Sequence, residues 1–341
     1  MPKKGDLLLS YIIKRLLWAI PTLLGVSLLV FSMVHMAPGD PALVMLGEHA
    51  SKDSVDALRE QMGLNKPLIE QYFMFVTNAV QGDFGMSTTS GEPVLDEFME
   101  RFPATVELAL FAMFFAVIAG LFAGIISAVK RYSIFDYAAM STALAGVSMP
   151  VFWLGLMLIY FFSVELAWLP VSGRLGYEFD IDEVTGLFLI DSILMDDYEA
   201  FWDAFKHLIL PAIALGTIPM AIIARMTRAS MIEVLKEEYV RTAKAKGCTK
   251  TQVIMVHALK NALLPVLTVI GLMVGTLFAG AILTETTFSW PGIGKWLVNA
   301  VNQRDFPIIQ STTLIIASMF VIVNLIVDVL YAVVNPKIRL S

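Results

Sequence analysis

Apolar positions dominate long stretches of this chain, and they do so without helical or strand alternation. Six stretches are apolar over about the 20 residues that a bilayer-crossing helix requires. They run Leu16–Val34, Leu108–Val129, Tyr137–Phe162, Leu208–Ala224, Ala262–Leu283 and Ile308–Val334. The pattern therefore predicts an all-α integral membrane protein with about six transmembrane helices. Lys3, Lys4, Lys14 and Arg15 precede the first stretch as in a secretory leader. Its apolar run exceeds a leader's 7–15 residues and no small-residue cleavage site follows, so it is expected to be a retained helix.

Between the spans the pattern changes. Val55, Leu58 and Met62 recur at helical spacing within Ser51–Met62, which predicts one amphipathic helix, and Leu68–Val80 predicts another. Met231–Lys250 reads as a further amphipathic helical segment that ends at Gly247, with Lys244 and Lys246 in its last turn, where cations suit the helix dipole.

Composition supports the membrane assignment. Of 341 residues 57% are hydrophobic and 16% charged, against roughly 45–50% and 25% for ordinary soluble domains. A net charge of −6 argues against nucleic acid, whose phosphates demand clustered cations. Cys248 is the only cysteine, so no intrachain disulfide can form, and the four histidines show no metal-ligand spacing.

Charge also predicts orientation. The connection between the fourth and fifth stretches carries eight cations (Arg225, Arg228, Lys236, Arg241, Lys244, Lys246, Lys250 and Lys260) against three glutamates. Lys130 and Arg131 follow the second stretch, and Lys337 and Arg339 follow the last. By the positive-inside rule these segments and both termini are expected in the cytoplasm. The other side is acidic. Four basic and eleven acidic residues lie between Met36 and Pro103, and two basic and nine acidic between Trp168 and Lys206. Eight of the nine acids of the second loop (Asp180, Asp182, Glu183, Asp191, Asp196, Asp197, Glu199 and Asp203) read first as a solvated surface and second as a docking face.

Ionisable groups within spans are expensive and draw attention. Glu107, Glu165 and Glu285 fall near outer span ends, where a structural or interfacial role is expected. Asn324 and Asp328, four residues apart, are expected to share a polar contact within the bundle. Pro150, Pro211, Pro219 and Pro265 interrupt spans. Gly146, Ser148, Pro150, Gly216, Thr217 and Pro219 are candidates for a cavity wall, with helix packing as the competing explanation. Gly120-x-x-x-Gly124 and Gly271-x-x-x-Gly275 read as packing motifs. Gly292-Ile-Gly-Lys295 fails as a nucleotide loop, since Ser289 replaces the first glycine and Trp296 the final Ser/Thr.

The segment from Glu238 to Pro265, EYVRTAKAKG…HALKNALLPV, resembles the cytoplasmic coupling loop of ABC importer permeases of the type I fold. Arg241-Thr-Ala243 occupies that family's Glu-Ala-Ala slot, Gly247 is in place, and the Leu264-Pro265 pair comes five residues late, as in the peptide and nickel branch. Arg15–Leu24, His35–Pro41, Pro170–Arg174, Leu210-Pro211, Met226–Met231, Leu283–Gly294 and Asn335–Arg339 also resemble that branch, most closely the B-type permeases of dipeptide importers.

The resemblance implies a non-catalytic pore subunit with an ABC importer type I permease fold. Its coupling residues would be Glu238, Tyr239, Val240, Arg241, Thr242, Ala243, Lys244, Ala245, Lys246 and Gly247. It implies no cofactor on this chain, with ATP and Mg held by partner subunits. The partners implied are a second homologous permease, two cytoplasmic ATPases, an extracytoplasmic peptide-binding protein, a short-peptide substrate and membrane lipid, in a bacterial inner membrane. The expected organisation is an N-terminal helix (1–35), an extracytoplasmic platform (36–103), a permease core (104–334) with an acidic insert (170–206) and a coupling loop (225–261), and a cytoplasmic tail (335–341). The same fold with another cargo, such as a nickel chelate or an antimicrobial peptide, is the nearest alternative. An ion-driven secondary transporter would show inverted repeats and midplane charges, and an intramembrane enzyme a converging nucleophile or metal set. The sequence shows no internal repeat and no such set, and only Asp328 lies deep in a span.

Overall fold

The computed structural model describes residues 4–36, 41–46, 50–61 and 63–334. Met62, the 37–40 positions of the His35–Pro41 motif, the tail and the side chain of Asp328 lie outside the described residues. Fourteen helices occur among those described: α1 (Lys4–Met36), α2 (Pro41–Leu46), α3 (Lys52–Gln61), α4 (Leu68–Val80), α5 (Val94–Val129), α6 (Ile134–Ser148), α7 (Val151–Leu158), α8 (Phe188–Leu194), α9 (Tyr198–Val234), α10 (Glu238–Ala245), α11 (Lys250–Gln252), α12 (Leu259–Thr287), α13 (Ile293–Gln303) and α14 (Phe306–Val334). Wide π-type turns extend α7 to Glu165 and join α11 to α12.

Among the described residues five helices are long and apolar enough to cross a membrane, and α6 with α7 forms a sixth, broken candidate. At 36 and 37 residues, α5 and α9 are each roughly 55 Å long. Both therefore project well beyond a hydrocarbon core of about 30 Å. The third span departs from expectation. The sequence reads as one continuous stretch from Tyr137 to Phe162, yet the helix bends by 110° between Ser148 and Val151. Met149 is extended (ψ 134°) because a residue before proline is pushed out of the helical region, and Pro150 restarts the helix as its N-cap.

The chain divides into two compact units, residues 1–102 with 295–332 and residues 103–294. In the first, α1 meets α4 through Ser27 Oγ and Tyr72 Oη (2.9 Å) and through His35 Nε2 and Gln71 Oε1 (3.1 Å). Asp305, fully buried, accepts from Ser87 Oγ (2.7 Å) and the Thr89 amide (2.9 Å), which ties the 83–93 loop to the start of α14.

In the second unit α9 is the central element. Of its most apolar stretch 72% is buried, against 17–28% for the other unbroken spans. Glycines let α5 reach it. A Cβ on Gly120 would stand 2.8 Å from the Met220 carbonyl, and one on Gly124 2.5 Å from Thr227 Cβ. This is the packing role expected of the Gly120–Gly124 pair. Ala104, Leu108, Ala112, Leu208, Leu215, Leu277 and Trp290 close a core among α5, α9 and α12.

Candidate functional site

The helix break before α10 shapes the candidate coupling segment. The amphipathic pattern from Met231 reads as one helix, but α9 ends at Val234 and the chain turns through Leu235–Glu237 before α10 begins. Glu237 is extended (ψ 146°) and caps the new helix. The turn lets α10 fold back onto its own support: Val240 and Ala243 are buried against Val253, Val234, Leu235 and Cys248. At the far end Gly247 has φ +80°. Its amide reaches the Lys244 carbonyl (3.0 Å) and the Cys248 amide the Ala243 carbonyl (3.2 Å), the two bonds of a Schellman stop. A Cβ at Gly247 would meet nothing within 4 Å, so the position demands glycine for its backbone and not for space. Thr249 and Gln252 then form a reciprocal capping box that starts α11.

With Val240 and Ala243 turned inward, the remaining candidate residues Glu238, Tyr239, Arg241, Thr242, Lys244, Ala245, Lys246 and Gly247 are all exposed. Arg241 pairs with Glu238 at 2.8 Å; both are open to solvent, so the pair contributes little stability. Tyr239 Oη accepts from Asn261 Nδ2 at 2.8 Å, which ties the helix to α12. The result is a short helix seated on Val234, Leu235 and Val253, with small and charged side chains exposed on its other face. Such a surface suits docking in a partner's groove.

The six cavity-wall candidates fall into two sets. Gly216, Thr217 and Pro219 are buried within the bundle. A Cβ on Gly216 would lie 2.6 Å from the Ala112 carbonyl, and Thr217 Oγ1 donates to the Ile213 carbonyl (2.6 Å). Gly146 sits against Thr217, so the contacts displayed by these four include close packing of α5, α6 and α9. Ser148 and Pro150 are exposed at the bend. The first unit holds a separate cavity of about 560 Å³, bordered by His35, Arg59, Asn78, Phe84 and Gln310 among others, and none of the six borders it.

Glu107 is 5% exposed, and the structural role expected of it takes the form of a buried ion pair. It accepts from Arg174 Nε (3.0 Å) and Nη2 (2.6 Å) and from the Leu189 amide (2.9 Å). Arg174 also donates to the Gly186 carbonyl (2.6 Å) and stacks over Phe188. In the acidic insert Asp180, Asp182, Glu183, Asp196 and Glu199 are exposed, as a solvated surface would have them, whereas Asp191, Asp197 and Asp203 are drawn in. Asp191 is fully buried and accepts from the Thr185 and Gly186 amides (2.9 Å each) and from Thr185 Oγ1. Asp197 caps α9, and Asp203 accepts from the Gly176 amide (2.6 Å) and faces His207 (3.2 Å). These acids bind the loop's own donors, which composition alone does not reveal. Glu285, fully buried, accepts from Thr105 Oγ1 (2.6 Å), which in turn accepts from the Ile293 amide (2.9 Å).

Sequence reasoning missed the pairing of Asp136 with Arg228 (2.8 and 2.9 Å), although Ser133-x-x-Asp136 is a recognisable N-cap pattern. Among the described residues no group of three or more His, Cys, Asp or Glu side chains could hold a metal ion.

Residues 120–340 match the family described as binding-protein-dependent transport system inner membrane component, and residues 8–109 match that system's N-terminal membrane component. The di/tripeptide transport system permease protein of Pseudomonas aeruginosa (strain UCBPP-PA14) is 55% identical over 97% of this chain and 99% of its own length. The dipeptide transport system permease protein of Escherichia coli (strain K12) is 52% identical over the same shares. The glutathione transport system permease protein of that organism is 45% identical, again over 97% of this chain and 99% of its own.

Proposed function

The chain belongs to the family of binding-protein-dependent transport system inner membrane components, and from that membership we propose that it forms one half of the pore of an ATP-driven importer of dipeptides and short peptides. It is a multi-pass membrane protein and a permease of the peptide ABC importer type. The observation that carries the reading is near full-length identity of 51–55% to dipeptide and di/tripeptide permeases. The cargo reading favours dipeptides and short peptides over glutathione, because the relatives named for dipeptide and di/tripeptide transport stand at 51–55% and the one named for glutathione at 45%.

The division of labour follows from what the chain can and cannot do. It has no phosphate-cradling Walker loop, so ATP and Mg belong to two cytoplasmic ATPase partners. The exposed face of α10, with Glu238–Gly247, is the surface they would grip. A second, similar permease would complete the pore, and an extracytoplasmic binding protein would deliver peptide to the acidic side. Both termini and α10 lie in the cytoplasm by the charge asymmetry of the loops. Nucleotide binding closes the ATPases, α10 moves with them, and the spans rock to turn a central cavity outward. Hydrolysis then resets the bundle. The bend at Met149–Pro150, with Ser148 and Pro150 exposed, supports a place for α6 and α7 beside that cavity.

Cargo is tested in cells whose only peptide importer contains this chain, by uptake of a radiolabelled dipeptide. Competition by unlabelled di- and tripeptides, with none by nickel chelates, is expected. Competition by a nickel chelate and not by peptides would reassign the cargo.

A further inference from the structure

Asp136 stands in the first turn of α6 and is 3% exposed. Every acceptor direction it offers is used. Oδ1 accepts from Ser127 Oγ on α5 and from Arg228 Nε on α9 (2.8 Å). Oδ2 accepts from the Tyr132 amide (2.9 Å) and Arg228 Nη2 (2.9 Å). Ser127 is itself fully buried. One carboxylate thus binds three helices and the left-handed turn at Tyr132 (φ 62°) into a single knot. The guanidinium meets it as a two-pronged fork, the geometry in which an Arg–carboxylate pair is strongest and most directional.

The knot lies directly beneath α10's support. Thr227, next to Arg228, is the residue against which Gly124 of α5 is pressed. Four residues on, Met231 packs with Ala128 of α5, with Ala258 just before α12 and with Ala262 in its first turn. One turn further, Val234 and Leu235 hold Val240 and Ala243 of α10. In the other direction α6 runs from Asp136 to the bend at Met149–Pro150, with Gly146 seated on Thr217 of α9. Seams meant to slide are apolar and replaceable. The Arg228 side chain is 28% exposed but that of Asp136 only 4%, so opening the pair would strand the buried carboxylate with two of its bonds unmade.

We propose that Asp136 and Arg228 are positioning residues that clamp the α5–α6 corner to the α10-bearing end of α9 throughout the transport cycle. Displacement of α10 then reaches α6 and α7 as well as α9. This deepens the importer reading and rests on it.

The test uses the complete transporter, with its second permease and ATPases, in proteoliposomes supplied with binding protein and labelled dipeptide. Spin labels at Ile134→Cys and Lys236→Cys in a Cys248→Ser background, with the pair intact, are expected to keep one separation in the nucleotide-free and vanadate-trapped states. A separation that changes between the states overturns the clamp. In parallel, Asp136→Asn and Arg228→Gln are expected to lower peptides moved per ATP hydrolysed by about fivefold or more while hydrolysis persists. In the double variant Asp136→Cys, Arg228→Cys, a short reducible bis-methanethiosulfonate linker should restore that ratio and a reductant should abolish it again. Wild-type stoichiometry in the neutral variants, or uptake that the linker blocks and the reductant restores, contradicts the proposal. Absence of ATP-driven uptake in the wild type removes the importer reading and the clamp together, whereas wild-type uptake with a moving label pair removes the clamp alone.

Discussion

Close helix contacts in this chain are decided at single glycines, and they differ sharply from one another. Gly124 faces Thr227 and the Ala224 carbonyl at 2.5 and 2.7 Å from a notional Cβ, and the carbonyl is backbone that cannot turn aside. Gly25 in α1 has nothing within 4 Å. Gly124→Val is therefore expected to cost 1–3 kcal/mol or more by overpacking, read as a lower melting temperature in detergent and a poor yield. Gly25→Ala should leave both within error. Equal effects at the two sites would remove the close-approach argument.

The Glu107–Arg174 pair makes a second expectation at this scale. Removing one member, as in Arg174→Ala, strands the other charge in a buried place and should cost about 3–5 kcal/mol. The double replacement Glu107→Leu, Arg174→Met should be milder, and thermal unfolding of the three variants compares them. Little of this was legible in advance. The sequence shows an ionisable residue in an apolar stretch, but not that Arg174, in a loop 67 residues away, folds back onto it. The Gly120–Gly124 spacing, by contrast, is visible in the sequence because its meaning is local.

Hydropathy locates the long helices at the element scale because a bilayer-crossing segment has few other ways to be written. Two interruptions escape it. The bend at Met149–Pro150 lies within an unbroken apolar run, and proline alone does not distinguish a break from the uninterrupted passage that α9 makes through Pro211 and Pro219. The turn at Leu235–Glu237 is hidden because Glu237 and Glu238 are good helix formers and the amphipathic pattern continues through them. Only the tertiary seat of Val240 and Ala243 explains the turn. Gly247 was legible, since few residues besides glycine end a helix in the left-handed region. That seat yields a prediction. Val240→Asp places a charge in a fully buried position and should release α10 while the spans still insert. Co-purification of the ATPase subunits is expected to fall to background with membrane-inserted chain unchanged. Retained ATPase at wild-type level would mean that α10 is not the grip.

Across the whole molecule, α9 is enclosed while the other unbroken spans leave most of their surface bare. Those bare apolar faces are surface that lipid or a neighbouring helix would cover. Glycine and proline in the sequence do not by themselves separate a packing seam from a cavity wall: Gly216 is packed against the Ala112 carbonyl, whereas Ser148 and Pro150 are exposed. The measurement closest to the central claim is peptide uptake by proteoliposomes holding this chain, its companion permease and the ATPases, with binding protein outside and ATP inside. Uptake that requires this chain and stops when the ATPases cannot hydrolyse ATP is the predicted result. Uptake that continues without ATP under an ion gradient, or that proceeds when this chain is left out, would contradict the account.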